Sequence, residues 1–351
     1  MRATVFEAPG EVRVTTVPDP QIREAGDAIV RVLRACICGS DLWFYRGINP
    51  WERGWRTGHE FLGMVEDVGA DVRTVRRGDL VIAPFAYSCG ECEFCRAGVQ
   101  TSCVRGGFWG GSDDDAGQAE AVRVPLADGT LVAAPREAAS DAHMLRCLAP
   151  LTDVLGTGHH AAVAARVGPG ATVAVVGDGA VGLCGVLAAR RLGAERIFVL
   201  ARHPARIAIA RGFGATDVVS ERDDDAAIHA VQEATGGGAP CVLECVGTDS
   251  SMRVAMGIAR PGGTIGYVGV PRGGAKDGID LNRMFGENIA LRGGVAPVRA
   301  YIPDLLADVL AGKLDASAVF DLEVGLDGVP DGYRAMDGRT ATRCSSRPSG
   351  H

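Results

Sequence analysis

The stretch that most constrains this chain is a buried strand, a glycine turn and a helix between residues 172 and 203. Val173-Ala174-Val175-Val176 is an unbroken apolar run, the pattern of a strand covered on both faces. Gly177-Asp178-Gly179-Ala180-Val181-Gly182 follows at once. Leu183, Val186, Leu187 and Leu192 then recur at helical spacing until Gly193 ends the helix, and Ile197-Phe198-Val199-Leu200 reads as a second buried strand. A G-x-G-x-x-G placed after a strand and opening a helix has a physical purpose. Gly177 permits the tight turn, Gly179 lets backbone approach a pyrophosphate, and Gly182 lets helix pack on strand. The first helical residues, Ala180 and Val181, present free N–H groups and a partial positive charge to the anion. A dinucleotide cofactor is therefore expected.

An NAD enzyme usually carries Asp or Glu at the end of the second strand, bonding the ribose 2′-hydroxyl. This chain has Ala201 there, then Arg202 and His203, with Arg206 one turn on. The missing acid and the added cations predict NADP over NAD, against the plainer reading of a solvated basic loop. Downstream, strands at 217–219, 241–246, 264–270 and 289–294 alternate with helices at 207–211, 226–235 and 252–259, the last stopped by Pro261-Gly262-Gly263. Such alternation predicts an α/β fold with a doubly wound parallel sheet. A helix is expected at 301–310 and a strand at 319–324. Cys184, Cys241 and Cys245 sit inside these elements and read as packed, inert residues.

Upstream of residue 150 the pattern is different. Short strands at 12–14, 28–33, 61–65 and 118–124 are separated by Pro- and Gly-rich turns, and an acidic surface loop is expected at Asp113-Asp114-Asp115. Among 351 residues, 47% are apolar and 23% charged, enough for a full core and for two domains. The net charge of −7 disfavours nucleic acid or an anionic membrane as partner. No apolar stretch has the length of a membrane span or the form of a signal core, so the expected location is the cytoplasm. Eleven cysteines in such a chain point to metal ligands rather than a disulfide framework.

Cys89-x2-Cys92-x2-Cys95-x7-Cys103 is the sharpest of these signals. Four thiolates fill a tetrahedral zinc completely, so this site should be structural. Cys36 reads as core filler. Cys38 precedes a Gly turn and two polar residues, a better setting for an accessible thiolate. His59, next to Glu60, lies in a loop before a strand. A catalytic zinc draws Cys, His and carboxylate from separate loops in this way. Asp153 reads locally either as the N-cap of a helix running to about residue 167 or as a third ligand.

Together these residues resemble the zinc-dependent medium-chain dehydrogenase/reductase family, the alcohol dehydrogenases. The resemblance rests on Cys38-Gly39-Ser40-Asp41, Gly58-His59-Glu60, the four-cysteine run, Asp153 four residues before Thr157, and the glycine turn, all in the family's order. It implies a GroES-like, mainly β catalytic domain over 1–155 with a structural zinc lobe at about 86–106. A Rossmann domain over 156–294 is inserted in it, and the chain returns to the catalytic domain over 295–351. It implies Cys38, His59 and Asp153 as catalytic zinc ligands, and Glu60 as a carboxylate able to enter the coordination sphere. Ser40 becomes the hydroxyl that relays the substrate proton, and Thr157 the residue against the nicotinamide. Asp at 153 is similar to the secondary-alcohol, polyol and threonine dehydrogenase branches. The implied activity is hydride transfer between NADP(H) and an alcohol or carbonyl, by a homodimer or homotetramer. Two alternatives are a zinc-independent reductase of activated double bonds on the same fold and a non-catalytic dinucleotide-binding protein.

The chain departs from the family's pattern in two places. Trp43 stands where several relatives carry a relay His. Residues 340–346 are polar where the family ends in an apolar strand, so the last dozen residues are expected to be irregular and frayed. Trp43, Phe44, Trp51, Trp55, Phe108 and Trp109 cluster near the metal-ligand loops. Some of them are expected to wall an apolar substrate pocket, the others to be ordinary packing.

Overall fold

The apolar run at 173–176 becomes the strand Thr172–Val176, central in a six-stranded sheet whose neighbours are all parallel. The structure is a computed structural model and describes residues 1–110, 115–271 and 278–348. It divides into two units, one of Met1–Asp153 with Pro297–His351 and one of Val154–Ala296.

In the second unit the strand order is Asp217–Val219, Arg196–Leu200, Thr172–Val176, Ala239–Glu244, Ala259–Tyr267 and Ala290–Gly293. The order reverses beside Thr172–Val176, and the carboxyl end of a strand at such a point is where α/β sheets bind ligands. The glycine turn occupies that end. Helices Ala180–Arg191, Pro204–Phe213, Asp224–Thr235 and Asp249–Ile258 connect the strands. Ala174, Phe198, Val242 and Ile265 lie within the buried core. Pro261-Gly262-Gly263 does not separate helix from strand as expected. The helix ends at Ile258 and the chain passes directly into Ala259–Tyr267, whose register with its neighbour shifts across that tripeptide. A bulge accommodates the missing proline N–H and the positive φ of Gly262 without ending the pairing.

The first unit is mainly β. Its seven-stranded sheet runs Leu322–Gly325, Cys344–Arg347, Ala28–Cys36, Phe61–Val68, Leu80–Ala83 and Val132–Ala134, with Ala121–Val124 also paired to Ala28–Cys36. The fold class is thus the predicted one, a GroES-like β unit with a parallel Rossmann-type unit. The strand expected at 319–324 begins only at Leu322: Val319 closes a short 3-10 turn, Ser317–Val319, ahead of the strand Leu322–Gly325.

The chain end corrects a firmer expectation. Cys344–Arg347 is not frayed but lies inside the sheet, parallel to Leu322–Gly325 and antiparallel to Ala28–Cys36. A polar strand can be internal because its polar groups find partners. Arg34 Nη1 donates to Ser345 Oγ at 3.0 Å and to Glu323 Oε2 at 2.5 Å, which stitches three neighbouring strands together. Tyr333 and Met336 from the helix Val329–Asp337 pack with Cys344 in the adjoining core. Residues 349–351 lie outside the described residues.

Within the expected acidic surface loop, Asp113 and Asp114 lie outside the described residues. Asp115 is buried, against expectation, because Arg123 pairs with it at 2.7 Å and with Asp27 at 2.9 Å. Among the described residues no helix is long and apolar enough to cross a membrane.

Candidate active site

Two loops and a helix entry bring Cys38, His59, Glu60 and Asp153 together in the first unit. One donor atom from each lies within 4.8 Å of the others. Cys38 follows the strand Ala28–Cys36, and His59-Glu60 precedes Phe61–Val68, the strand paired beside it. Asp153 follows the 3-10 turn Ala149–Thr152. Phe85 N–H donates to the carbonyl of Thr152 at 2.9 Å and ties that turn to the sheet.

The spacings are those of a shared ion. His59 Nε2 is 3.5 Å from Asp153 Oδ2, and Cys38 Sγ is 3.6 Å from the same oxygen. The first is too long for a good hydrogen bond. Both match the edges of a tetrahedron, about 3.3 to 3.8 Å for metal bonds of about 2.0 to 2.3 Å. Asp153 therefore turns its carboxylate towards Cys38 and His59. Glu60 Oε1, fully buried, has no hydrogen-bond partner among the described residues and lies 3.8 Å from His59 Nε2.

The electrostatics ask for a cation. Burial, and then Asp153, push the Cys38 thiol above its ordinary range. Burial also raises Glu60, opposed by Arg343. Burial would lower His59, but Asp41 and Asp153 outweigh it and leave the imidazole well above its usual value. Donors driven toward protonation in a buried site lack positive charge, and a divalent ion supplies it. The residues present fit a zinc ion with three ligands and a second carboxylate, Glu60, in reserve as a fourth.

Several supports of this cluster went unnoticed in the sequence. Asp41 Oδ1 lies 3.2 Å from His59 Nδ1, while its Oδ2 accepts from Cys38 N–H at 2.9 Å. One carboxylate thus orients both Cys38 and His59, and its place three residues after Cys38 is the sequence signal that could have pointed to it. Arg343 Nη2 pairs with Glu60 Oε2, both side chains at most 2% exposed. Gln118 accepts hydrogen bonds from Thr57 at 2.5 Å and from Tyr333 at 3.1 Å, and donates to the Cys36 carbonyl at 3.0 Å. It braces the loop before His59, where Gly58 has φ +97° and a Cβ would stand 2.5 Å from Gln118. No local pattern announces Arg343, Gln118 or Tyr333. Ser40 is half-buried at the start of the helix Asp41–Tyr45, and its side chain makes no capping hydrogen bond there.

The aromatic residues divide. Trp43, Phe44, Trp51 and Trp55 pack against the core around Tyr45 and Tyr333. Trp109 is buried and donates to the Pro84 carbonyl at 2.7 Å. These five are packing. Phe108 is 55% exposed and stacks on Phe85, whose ring meets that of His59 edge-on at 6.4 Å. An apolar wall beside the cluster is therefore made by Phe108 and by Phe85, which the sequence reading passed over.

In the lobe, Cys89, Cys92, Cys95 and Cys103 also gather within 4.8 Å. The sulfurs of Cys89 and Cys95 are 3.9 Å apart and those of Cys92 and Cys95 3.5 Å, near the ~3.8 Å edge of a zinc–sulfur tetrahedron. Backbone N–H groups of Cys89 and Cys92 donate to the sulfurs of Cys103 and Cys89 at 3.2 and 3.3 Å. Burial opposes ionisation of Cys89, but N–H groups of Glu91 and Cys92 and the Arg105 side chain bring its thiol down to about 6. Such a set fits a closed structural zinc.

In the nucleotide unit Gly177 has φ +115°, and a Cβ at Gly182 would stand 2.0 Å from the Gly177 carbonyl oxygen. A Cβ at Gly179 would meet nothing within 4 Å, which leaves room for a phosphate against the backbone and the N–H groups at Ala180 and Val181. Thr157 is buried in the helix Val154–Ala164. The basic stretch differs from expectation. Arg206 Nη1 pairs with Asp178 Oδ1 at 3.1 Å, and Arg202 N–H donates to Asp178 Oδ2 at 3.1 Å. The Arg202 guanidinium donates to the carbonyls of Glu221 and Arg222 at 3.2 Å each. An acid does stand among these cations, supplied by the glycine turn and not by the strand end. His203 is exposed.

Comparison with known proteins agrees with this geometry. The family described as alcohol dehydrogenase GroES-like domain matches residues 24–136, and that described as zinc-binding dehydrogenase matches residues 180–311. The chain is 36% identical to zinc-type alcohol dehydrogenase B of Aspergillus flavus, covering 96% of this chain and 79% of that protein. It is 34% identical to a glutathione-independent formaldehyde dehydrogenase of Pseudomonas aeruginosa, covering 96% and 94%. Among solved structures, alcohol dehydrogenase TADH from Thermus sp. ATN1 superposes with a TM-score of 0.89 at 33% identity, covering 99% of each chain.

Proposed function

The chain belongs to the zinc-type medium-chain alcohol dehydrogenase family, and from that premise we propose that it transfers hydride between NADP(H) and an alkyl or aryl alcohol or its carbonyl. The observation that carries the reading is the convergence of Cys38, His59 and Asp153 at ion-sharing distances, with Glu60 Oε1 beside them making no hydrogen bond among the described residues. These three residues hold the catalytic zinc, and Glu60 is the carboxylate able to join them. A zinc ion there would supply Lewis acidity, making the alcohol proton easier to lose near neutral pH.

The chain's own residues do the rest. Asp41 fixes the His59 ring through Nδ1, so that Nε2 faces the other ligands. Arg343 holds one oxygen of Glu60 and leaves the other available. Ser40, with a hydroxyl not spent on capping, passes the alcohol proton towards solvent. Phe85 and Phe108 present an apolar surface, which favours alkyl and aryl groups over bare polyols. Gly177, Gly179, Ala180, Val181 and Gly182 hold the pyrophosphate, and Thr157 contacts the nicotinamide. Cys89, Cys92, Cys95 and Cys103 hold the structural zinc.

NADP(H) is favoured because Ala201 supplies no carboxylate and the Arg202 and His203 side chains are exposed beside it as donors for a phosphate. Asp178 opposes that preference through its hold on Arg206. A homo-oligomer is supported by Leu281 and Phe285, 72% and 89% exposed on one short helix. None of the eleven cysteines is in a disulfide, in keeping with the cytoplasm.

The test measures NADPH and NADH oxidation over a panel of alkyl, aryl and polyol-derived carbonyls, with and without a zinc chelator. Chelator-sensitive NADPH oxidation with alkyl or aryl substrates is expected. Chelator-insensitive turnover would overturn the zinc assignment, and an NADH preference would overturn the coenzyme assignment.

A further inference from the structure

A third group of metal-type donors lies in the first unit, apart from both clusters above. The helix Ala142–Leu148 carries His143 and Cys147 four residues apart, which puts both side chains on one face. The turn after the helix Val298–Leu310 brings Asp315 to that face. Cys147 Sγ is 3.6 Å from His143 Nε2 and 3.6 Å from Asp315 Oδ1, and one donor atom of each residue lies within 4.8 Å of the others. These are again the edges of a coordination tetrahedron, about 3.3 to 3.8 Å.

The surroundings suit a cation. Asp315 is held in place by Ser317 N–H, which donates to its Oδ1 at 2.8 Å. Asp141 caps the helix through His143 N–H and Met144 N–H at 2.9 and 3.0 Å and adds a second carboxylate nearby. Arg146, the helix's own cation, donates to the carbonyls of Ser317 and Phe320. Cys147 is buried at the base, whereas His143 and Asp315 are exposed, so an ion can reach the group from solvent. Burial, and then Asp315, push the Cys147 thiol up to about 11, which argues against an activated Cys–His nucleophile.

We propose that His143, Cys147 and Asp315 form a third metal site, taking an exchangeable borderline divalent ion of the zinc class, with water in the fourth position. Imidazole, thiolate and carboxylate together select zinc or cobalt over magnesium or calcium, which prefer oxygen alone. On binding, the Cys147 S–H bond gives its proton to solvent and a sulfur–metal bond forms. No electron is transferred and no co-reactant is needed. The ion ties the helix Ala142–Leu148 to the turn at Asp315.

The experiment takes the protein with its resident metal, measured first by elemental analysis, and titrates it with Co²⁺ alone and then Zn²⁺ alone. The expected result is one further equivalent per chain, with a near-ultraviolet thiolate-to-cobalt band that added Zn²⁺ removes. C147S should lose the band and the equivalent. H143A and D315N, at exposed positions that leave the core intact, should weaken binding by at least about tenfold. Added Zn²⁺ should raise the melting temperature of the wild type more than that of H143A or D315N. Equal uptake, band and melting shift in wild type, H143A and D315N would overturn the proposal, as would the absence of any further equivalent in the wild type.

Discussion

The cysteine lobe and the dispersed cluster use similar donors in opposite ways. The lobe takes four sulfurs from residues 89 to 103 and aims them with the backbone N–H groups of the same short segment. The cluster takes donors from residues 38, 59, 60 and 153, and its supports reach from Asp41 to Arg343. A closed site can be folded locally because the ion satisfies every ligand. An open site must keep one position unsatisfied, so the surrounding fold has to stop the ligands from pairing with one another. The difference teaches where each should fail: damage to the lobe should appear as lost stability, and damage to the cluster as lost chemistry.

Removing a ligand of the cluster gives the largest effect expected from this contrast. D153A and C38S should lower kcat/KM by about 10⁴ or more, about 5 kcal/mol, while the melting temperature changes little and the zinc content falls by one per chain. Steady-state kinetics with elemental analysis checks this. A large melting shift with activity retained would break the comparison.

The lobe should behave in the reverse manner. C92S or C103S should cost about 5 kcal/mol of stability, below the order of 10 that a structural zinc contributes to an isolated zinc module, because only the lobe is released. Limited proteolysis should find new cleavage within residues 89–106, and the fraction still folded should turn over at a near-normal rate.

The buried pair Arg343–Glu60 sharpens the contrast, since it belongs to the chemistry but should register mainly as stability. R343M leaves Glu60 buried without its partner and should cost about 3 to 5 kcal/mol. The double change E60Q/R343M should recover most of that stability and little of the activity. Denaturant unfolding of both variants measures the difference. A double variant no more stable than R343M would show that the pair is not what the terminal strand depends on.

How much of this was legible in the sequence follows from the same contrast. The glycine turn and the four cysteines could be read directly, because their chemistry lies in consecutive residues with fixed spacing. The strands and helices of the nucleotide unit were legible for the same reason, since strong apolar periods mark them. Cys38, His59 and Asp153 are single residues in separate loops, and their joint role came from resemblance to a family. The chain end was misread because its hydropathy is polar. The partners that make Cys344–Arg347 an internal strand, Arg34 and Glu323, lie about 310 and 20 residues away, and no local window contains them both. Asp178 has no role legible in the sequence, since its partner Arg206 is reached only through the fold.

Asp178 supports the last and smallest prediction, and it concerns selectivity in the nucleotide unit. Its carboxylate accepts from Arg202 N–H and pairs with Arg206, where a ribose 2′-phosphate would compete for the same cation. D178N removes that competition and returns Arg206 to the phosphate, so the NADP(H)/NAD(H) ratio of kcat/KM should rise by about five- to tenfold, about 1 to 1.4 kcal/mol. R206A should lower the ratio by a similar factor. In the double variant the two changes should not add, because each acts through the other. Additive effects would mean that Asp178 and Arg206 reach the coenzyme independently, and that the acid in the turn reads the ribose hydroxyls directly instead of restraining the arginine.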